Sequence, residues 1–237
     1  MSLFDRVKKY LKSQAATRVR TKIACQYLHG DGLEIGALHN PLKVPRAAHV
    51  KYVDRISVDE LRQHYPELRR QKLVDVDIIA DGESLNTIPD ASQDFVIANH
   101  FIEHCQNPLL AIKNILRVLK HRGILYLAVP DKRFTFDVDR PVTVLEHLLR
   151  DLREGPAWSR TAHFEEWVRY VIKVSKDDEV APLVKQLTDM DYSIHFHCWT
   201  QREMFELLYH IQQEMPFDIE MLLKNGEENI FVLRTTD

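Results

Sequence analysis

The chain has 237 residues, of which 45% are hydrophobic and 28% charged, and its net charge is −3. This composition is typical of a soluble globular protein with one large domain or two small ones, and it excludes a disordered chain, a collagen-like fibre and a disulfide miniprotein. The 7 glycines are about 3% of the chain against a usual share of roughly 7%, which disfavours a phosphate cradle built on repeated glycines. A near-neutral charge also predicts no overall attraction for nucleic acid.

The N-terminal segment is strongly basic. Residues 1–22 contain seven basic residues and one acid, a net charge of +6, and we expect basic N-terminal helices over residues 1–29. Five apolar residues share one face of the first predicted helix: Leu3, Phe4, Val7, Tyr10 and Leu11. This helix either packs on its own domain with a solvated basic face or contacts an acidic membrane surface or a partner.

The sequence shows no membrane span, signal peptide or paired cysteines, and these features indicate the cellular compartment. No apolar run reaches the ~20 residues of a membrane span, and no signal peptide core is present. Cys25, Cys105 and Cys198 show no paired spacing, which indicates reduced thiols. We therefore expect a cytoplasmic protein.

Residues 30–131 alternate between predicted strands and helices. A Ser57…Glu60 capping box begins one helix, and an amphipathic helix covers residues 107–120. Five strands are predicted, over residues 32–36, 50–54, 75–81, 93–99 and 123–129. Several of these strands are apolar throughout, which favours a mostly parallel sheet covered on both faces. The predicted fold class is a Rossmann-like, doubly wound α/β domain.

The C-terminal part changes pattern. Residues 132–199 are rich in predicted helix and interrupt the alternation, so they are interpreted as an insertion that could cover an acceptor. Residues 200–237 supply one more helix and two apolar stretches, joined at an Asn225-Gly226 turn signal. The whole chain is thus predicted to be a single domain whose sheet ends in an antiparallel hairpin.

Polar residues recur where the predicted strands end, which is where open α/β sheets bind their ligands. The first strand ends with Glu34 and Gly36, and Asp54 ends the second, 18 residues after Gly36. An acid at that position can bind both hydroxyls of a ribose. Further polar residues follow the third and fourth strands: Asp81, Gly82, Asn99, His100 and His104.

This ordered set resembles the class I S-adenosylmethionine-dependent methyltransferases over residues 30–131, and the hairpin is similar to the family's last two strands. The resemblance implies S-adenosylmethionine as cofactor, with Glu34 and Gly36 in the first motif. It implies that Asp54 holds the ribose hydroxyls, that Asp81 lies near the adenine amino group and that residues 99–104 lie beside the methyl donor. The implied cofactor contacts are Glu34, Gly36, Ala37, Leu38, Asn40, Asp54, Arg55, Asp81, Gly82, Asn99, His100 and His104.

The first motif departs from the family pattern, because Leu38 and Asn40 stand where the family has further glycines. A methyl donor has no pyrophosphate, so Gly36 alone can supply the sharp turn. The donor carboxylate could then meet backbone N–H groups, or His39 and Asn40. The alternative is an α/β module that kept the fold and lost catalysis, serving as a binding or scaffold protein.

Methyl transfer needs an aligned acceptor and a dry site, and a hydroxyl acceptor also benefits from a general base. The candidates for that base are His104, His100 and Asp131. His195 with His197, or His100 with His104, could ligate a metal by spacing alone, but no third ligand is indicated and no metal is predicted. Residues 131–141 are either a solvated loop or an acceptor pocket in which Arg133 or Arg140 holds a polar substrate.

Two short segments refine the resemblance. Residues 36–41 and 129–133 look similar to bacterial methyltransferases linked to glycan or surface-polysaccharide assembly. This similarity implies a small-molecule or saccharide acceptor, with a sugar hydroxyl as the expected methyl-accepting group.

Overall fold

The computed structural model describes residues 3–237, with side chains from residue 14 onward. Its seven strands are β1 (Gly30–Ile35), β2 (Ala48–Asp54), β3 (Ile78–Ile79), β4 (Gln93–Asn99), β5 (Leu119–Pro130), β6 (Phe217–Asn225) and β7 (Glu228–Thr235). They form one sheet in the order β3-β2-β1-β4-β5-β7-β6. Strands β1 to β5 pair in parallel, whereas β7 runs antiparallel to both β5 and β6. The predicted fold class, a mostly parallel sheet that ends in an antiparallel hairpin, is confirmed.

The strand order reverses between β1 and β4, so the carboxyl ends of these two strands form the crevice where such sheets bind ligands. Strand β3 is shorter than the predicted residues 75–81. The carboxylate of Asp77 accepts the N–H of Tyr52 at 2.8 Å, and a side chain thereby replaces a strand carbonyl at this edge. Gly226, with φ +66°, begins the two-residue turn of the hairpin.

The described residues form seven α-helices: α1 (Leu3–Tyr27), α2 (Val58–His64), α3 (Pro108–Val118), α4 (Leu145–Glu154), α5 (Ala157–Trp167), α6 (Asp177–Asp189) and α7 (Gln201–Gln212). The capping box of α2 is formed: Ser57 accepts the N–H of Glu60, and Glu60 accepts the N–H of Ser57. Helix α1 is one continuous helix, where more than one was predicted for residues 1–29.

The core lies on both faces of the sheet because strand side chains alternate between them. On one face, Leu33 and Val96 pack in a cluster with residues of α3 and α7. On the other face, Phe95 and Tyr126 pack with Ile23 and other residues of α1. The described half of α1 therefore packs on its own domain.

The apolar face predicted for residues 3–11 lies outside the described side chains, so membrane contact by this segment stays a prediction. Among the described residues, no helix is both long enough and apolar enough to cross a bilayer.

Helices α4, α5 and α6 form the predicted insertion between β5 and α7. A π-helical turn over residues 168–172 continues α5 and ends at Lys173, which has φ +69°. The insertion has an apolar cluster of its own: Phe164, Val168, Val180, Val184, Leu187, Ile194 and Phe196. It is thus a layer with its own small core, placed next to the carboxyl edge of the sheet through residues 194–199.

Candidate functional site

The turn after β1 opens a space at the carboxyl edge of the sheet. Gly36 has φ +63°, and a Cβ placed there would meet no atom within 4 Å. Its N–H donates to the carbonyl of Val53 at 2.9 Å, which holds the turn against β2. The carboxylate of Glu34 is buried and accepts the N–H of Leu42 at 2.9 Å, so Glu34 fixes the loop that follows the turn.

Leu38 adopts a backbone conformation that favours glycine. Its φ is +50°, a left-handed conformation that costs a non-glycine residue of order 1 kcal/mol. Its side chain is partly buried against a cluster of Leu61, Leu68 and Leu73, and this burial offsets the cost. The loop after β1 therefore accommodates Leu38 by packing its side chain in an apolar cluster.

Asp54 ends β2, next to the turn. Burial raises the pKa of Asp54, and the N–H of Arg55, at 2.7 Å from its Oδ1, opposes that rise. The side chain of Arg55 goes to other partners, because it donates to Asp191 at 2.9 Å and to the hydroxyl of Tyr65 at 2.8 Å. Asp191 also accepts from Arg160 of α5, so Arg55 joins the end of β2 to the insertion.

The ends of β3 and β4 complete the edge. Asp81 is exposed, and its Oδ1 accepts the N–H of Glu83 at 3.0 Å. Gly82 leaves room for its neighbours, since a Cβ there would lie 2.7 Å from Ile35 and 2.8 Å from the ring of Phe101.

The carboxyl of Glu34 has a strongly shifted pKa. Burial raises the pKa of Glu34 to about 7, and the N–H of Leu42 opposes that rise. Ala37 and Asn40 form a turn in which the N–H of Asn40 donates to the carbonyl of Ala37 at 2.9 Å. The strand-end residues predicted from sequence are therefore brought to one edge, with Arg55 directed toward the insertion.

His100 is a cation held between two buried carboxylates. Its Nε2 lies 2.9 Å from Glu228 and its Nδ1 lies 3.4 Å from Glu103. Burial alone would lower the pKa of His100, but the two carboxylates raise it to about 9. Glu228 also binds Arg20 of α1, whose Nε lies 2.8 Å away. A residue that keeps its proton at neutral pH cannot act as the general base, so His100 is not retained as a candidate.

This ion pairing predicts how stability depends on pH. The pKa of His100 is raised above its unfolded value of about 6.5, so its contribution is complete below that value and disappears as the pH rises towards 9. Between pH values of about 6.5 and 9, the free energy of unfolding should fall less steeply with pH in His100→Gln than in the wild type. Urea denaturation at several pH values measures this slope. The exposed His29→Gln is the matched control, and an unchanged slope in His100→Gln would contradict the assignment.

Asp131 has a structural environment rather than a catalytic one. Its carboxylate is buried and accepts from Arg133 at 2.9 and 2.7 Å and from Lys224 at 2.7 Å. Burial would raise the pKa of Asp131, but these two cations hold it well below its ordinary range. A carboxylate so strongly paired is a poor proton acceptor, and Asp131 is not retained as a base.

The two arginines predicted to hold the acceptor are also engaged. Arg133 is paired with Asp131, and the buried Arg140 donates to Asp137 at 2.8 Å and to Glu166 at 2.6 Å. Arg140 therefore holds residues 131–141 in place, and this loop is ordered by buried ion pairs rather than solvated.

His104 and His195 meet beside the end of β4. Their rings are 4.7 Å apart, and each offers a ring nitrogen within 4.8 Å of a carboxylate oxygen of Glu103. Nδ1 of His104 lies 2.9 Å from the carbonyl of Ile194, which can only accept, so Nδ1 carries the proton and Nε2 keeps its lone pair. Burial lowers the pKa of His104 to about 4, and His104 is therefore neutral at pH 7.

Sequence reasoning missed Glu103 and Asp137. Nδ1 of His195 lies 2.7 Å from the carboxylate of Asp137, and Glu103 is fully buried between His100 and His104. The carboxylate in the Phe101-Ile-Glu-His104 segment was a visible signal for Glu103. No local pattern connects Asp137 with His195, because 58 residues separate them.

A comparison with known protein families identifies the domain that carries these residues. Residues 30–127, which include β1, β4 and most of β5, match the methyltransferase domain family. Residues 30–127 are a methyltransferase domain. The predicted family, enzyme class and S-adenosylmethionine cofactor are thereby confirmed.

Solved structures share the fold of this methyltransferase at low identity. Burkholderia thailandensis 1,6-didemethyltoxoflavin-N1-methyltransferase has a TM-score of 0.50 and 16% identity, over 98% of this chain and 86% of that one. A Rhodobacter sphaeroides protein described as a candidate Zn-dependent alcohol dehydrogenase has a TM-score of 0.53 and 13% identity, over 94% and 90%. The chain spans 54% of the length of the CurJ carbon methyltransferase, at a TM-score of 0.48 and 13% identity over 94% of this chain.

No curated protein matches the methyltransferase in sequence. Identities this low show the fold alone, so they do not name the acceptor.

The residues at the carboxyl edge of the sheet fit S-adenosylmethionine. The open space at Gly36 can admit a ligand close to the backbone, and the carboxylate of Asp54 lies at the end of the adjacent strand. When bound, S-adenosylmethionine supplies an activated methyl group. The protein itself must hold the donor, bring an acceptor to it and exclude water.

Proposed function

We propose that this methyltransferase transfers the methyl group of S-adenosylmethionine to a hydroxyl of a small-molecule or saccharide acceptor. In the reaction, the acceptor oxygen forms a bond to the methyl carbon while the bond between that carbon and sulfur breaks. The electron pair of the broken bond stays on sulfur, and the hydroxyl proton leaves to a base. Residues 30–131 would form the donor-binding core and residues 132–199 the cover of the acceptor.

The observation that carries this proposal is the lone pair on Nε2 of His104. The Ile194 carbonyl fixes the tautomer, and the Ser193 hydroxyl lies 3.1 Å from the same Nδ1, so the ring is held in one orientation. The free Nε2 of this oriented imidazole can accept a hydroxyl proton, and its low pKa makes it a weak base that is unprotonated at neutral pH. An amine acceptor with a free electron pair would have less use for this group.

The surroundings of His195 support a ring-shaped, hydroxylated acceptor. The half-exposed ring of Phe136 lies 4.8 Å from His195 and 5.6 Å from Trp167. An exposed aromatic face next to polar groups suits a sugar, whose C–H face packs on the ring while its hydroxyls bind the polar atoms. His195, whose Nδ1 is paired with the buried Asp137, is the polar side chain beside this ring.

The acceptor class can be tested with isotopically labelled S-adenosylmethionine and a panel of acceptors. We expect label transfer to saccharides with free hydroxyls, and none to the same saccharides with those hydroxyls blocked. Phe136→Ala should raise the KM for the saccharide several-fold with little change in donor affinity. Phe205→Ala, which removes a partly exposed ring on α7, is the matched control. Transfer to amines or carbon acceptors alone would overturn the hydroxyl assignment.

A further inference from the structure

A second group of histidines lies on the insertion, away from the carboxyl ends of β1 and β2 where the donor is proposed to bind. His147 and Asp151 are one turn apart on α4, His163 is on α5, and His197 is in the segment that precedes α7. The sequence predicted no metal because pairs of histidines lacked a third ligand. Here the further ligands come from helices up to 50 residues away along the chain.

The distances within this group are those of ligands around one small cation. Nε2 of His147 lies 3.1 Å from Nε2 of His163 and 3.3 Å from Oδ2 of Asp151. The three histidines each offer a ring nitrogen within 4.8 Å of the others. Metal bonds of 2.0–2.1 Å in a tetrahedron place neighbouring ligand atoms about 3.4 Å apart.

Two polar atoms of the group have no hydrogen-bond partner among the described residues. Oδ2 of Asp151 and Nδ1 of His197 are both buried in this way, and both side chains are fully inaccessible to solvent. An unsatisfied buried polar group costs about 1–3 kcal/mol, and more when it is charged. A bound cation would satisfy the carboxylate directly.

We propose that His147, Asp151, His163 and His197 form a zinc site. Three imidazoles and one carboxylate in a closed, buried arrangement are a ligand set that zinc accepts, and four protein ligands characterise a structural rather than a catalytic site. The neighbouring trio of Glu103, His104 and His195 is a weaker candidate, because Glu103 faces the His100 cation and His195 is bound to Asp137.

Contacts around the group match those that orient metal ligands. Ser159 lies 3.3 Å from Oδ1 of Asp151, and the carbonyl of Gln106 lies 3.4 Å from Nε2 of His197. The amide of Asn107 donates to the carbonyl of Asp151 at 3.1 Å. Since Gln106 and Asn107 lie two and three residues after His104, a metal here would fasten the insertion to the segment that carries the proposed base.

The site is tested by metal analysis of the full chain, prepared without an affinity tag and without chelators. We expect about one zinc per chain by inductively coupled plasma mass spectrometry. We also expect a lower melting temperature after chelator treatment, restored by added Zn²⁺. Co²⁺ in place of zinc should give the intense visible absorption of a tetrahedral site.

Variants locate the metal. We expect His163→Ala to lose it and His147→Cys to keep it, with a new sulfur-to-cobalt absorption band in the Co²⁺ form. The exposed His29→Ala should retain zinc, and so should His104→Ala. Loss of zinc in His104→Ala with retention in His163→Ala would move the site to the other trio and overturn the proposal. Absence of zinc from the untreated protein, with no uptake of Zn²⁺ or Co²⁺, would overturn it without any variant, since the group would then be a hydrogen-bonded cluster only.

Discussion

Replacing Asp54 by alanine is expected to abolish measurable donor binding. The assignment to the ribose gives this carboxylate two charge-assisted hydrogen bonds, each contributing about 1.5–3 kcal/mol. Their loss should weaken the affinity for S-adenosylmethionine by about 100-fold or more. Isothermal titration calorimetry measures this directly, because the wild-type protein should release heat on titration with the donor and Asp54→Ala should release none.

Two further variants make the result specific. Asp75→Ala removes an exposed carboxylate from the segment that precedes β3, and its affinity for the donor should equal that of the wild type. Asp54→Asn keeps the shape of the side chain and loses the charge, so its affinity should be intermediate. An unchanged Kd in Asp54→Ala, in a protein with the wild-type melting temperature, would show that the ribose lies elsewhere.

Replacing His104 by alanine is expected to reduce kcat about 10²- to 10⁴-fold, which is the usual contribution of a positioned general base. The affinity for the donor should stay within about twofold of the wild type, because this residue acts on the acceptor. Since the pKa of His104 is lowered to about 4, the wild-type rate should not fall on the acid side until the pH approaches that value.

The pH profile separates a base from a packing residue. Without the imidazole, the remaining rate should rise with pH as hydroxide takes the proton, and the acid limb near pH 4 should disappear. Ser193→Ala removes only the hydroxyl next to Nδ1, so it should have a much smaller effect on kcat. If His104→Ala turned over at the wild-type rate, the proton would leave by another route and the base assignment would be wrong.

The sheet was predictable because its strands are short apolar runs that end in polar residues. Strand β4 has the predicted bounds, residues 93–99, and α3 lies within the predicted residues 107–120. Local sequence carries this information because the pattern of burial repeats along each element. The length of β3 was not predictable, since it depends on how Asp77 binds the backbone of the neighbouring strand.

The roles of individual histidines were less predictable. His100 and His104 are four residues apart, and both were candidate bases in the sequence analysis. They differ in the structure because Glu228, which is 128 residues from His100, gives that ring a carboxylate, whereas His104 faces the carbonyl of Ile194. Protonation is set by such long-range partners, and a single sequence does not show which partners meet.

The scarcity of glycine has a local explanation. The turn after β1 needs one glycine, at Gly36, and Leu38 adopts the left-handed conformation while its side chain joins an apolar cluster. Such a loop should be stiffer than one with several glycines, because each glycine adds backbone freedom that folding must remove.

The contact between Arg20 and Glu228 spans 208 residues, and it bears on how the protein is made. Strand β7 lies between β5 and β6 in the sheet, and its first residue supplies the carboxylate for both Arg20 and His100. During synthesis, the ion pairs of Glu228 with Arg20 and His100 therefore cannot form until residue 228 has left the ribosome. Until then, β5 is an edge strand and the face of α1 that packs on the sheet is exposed. In this interval the newly synthesised chain is most open to misassociation.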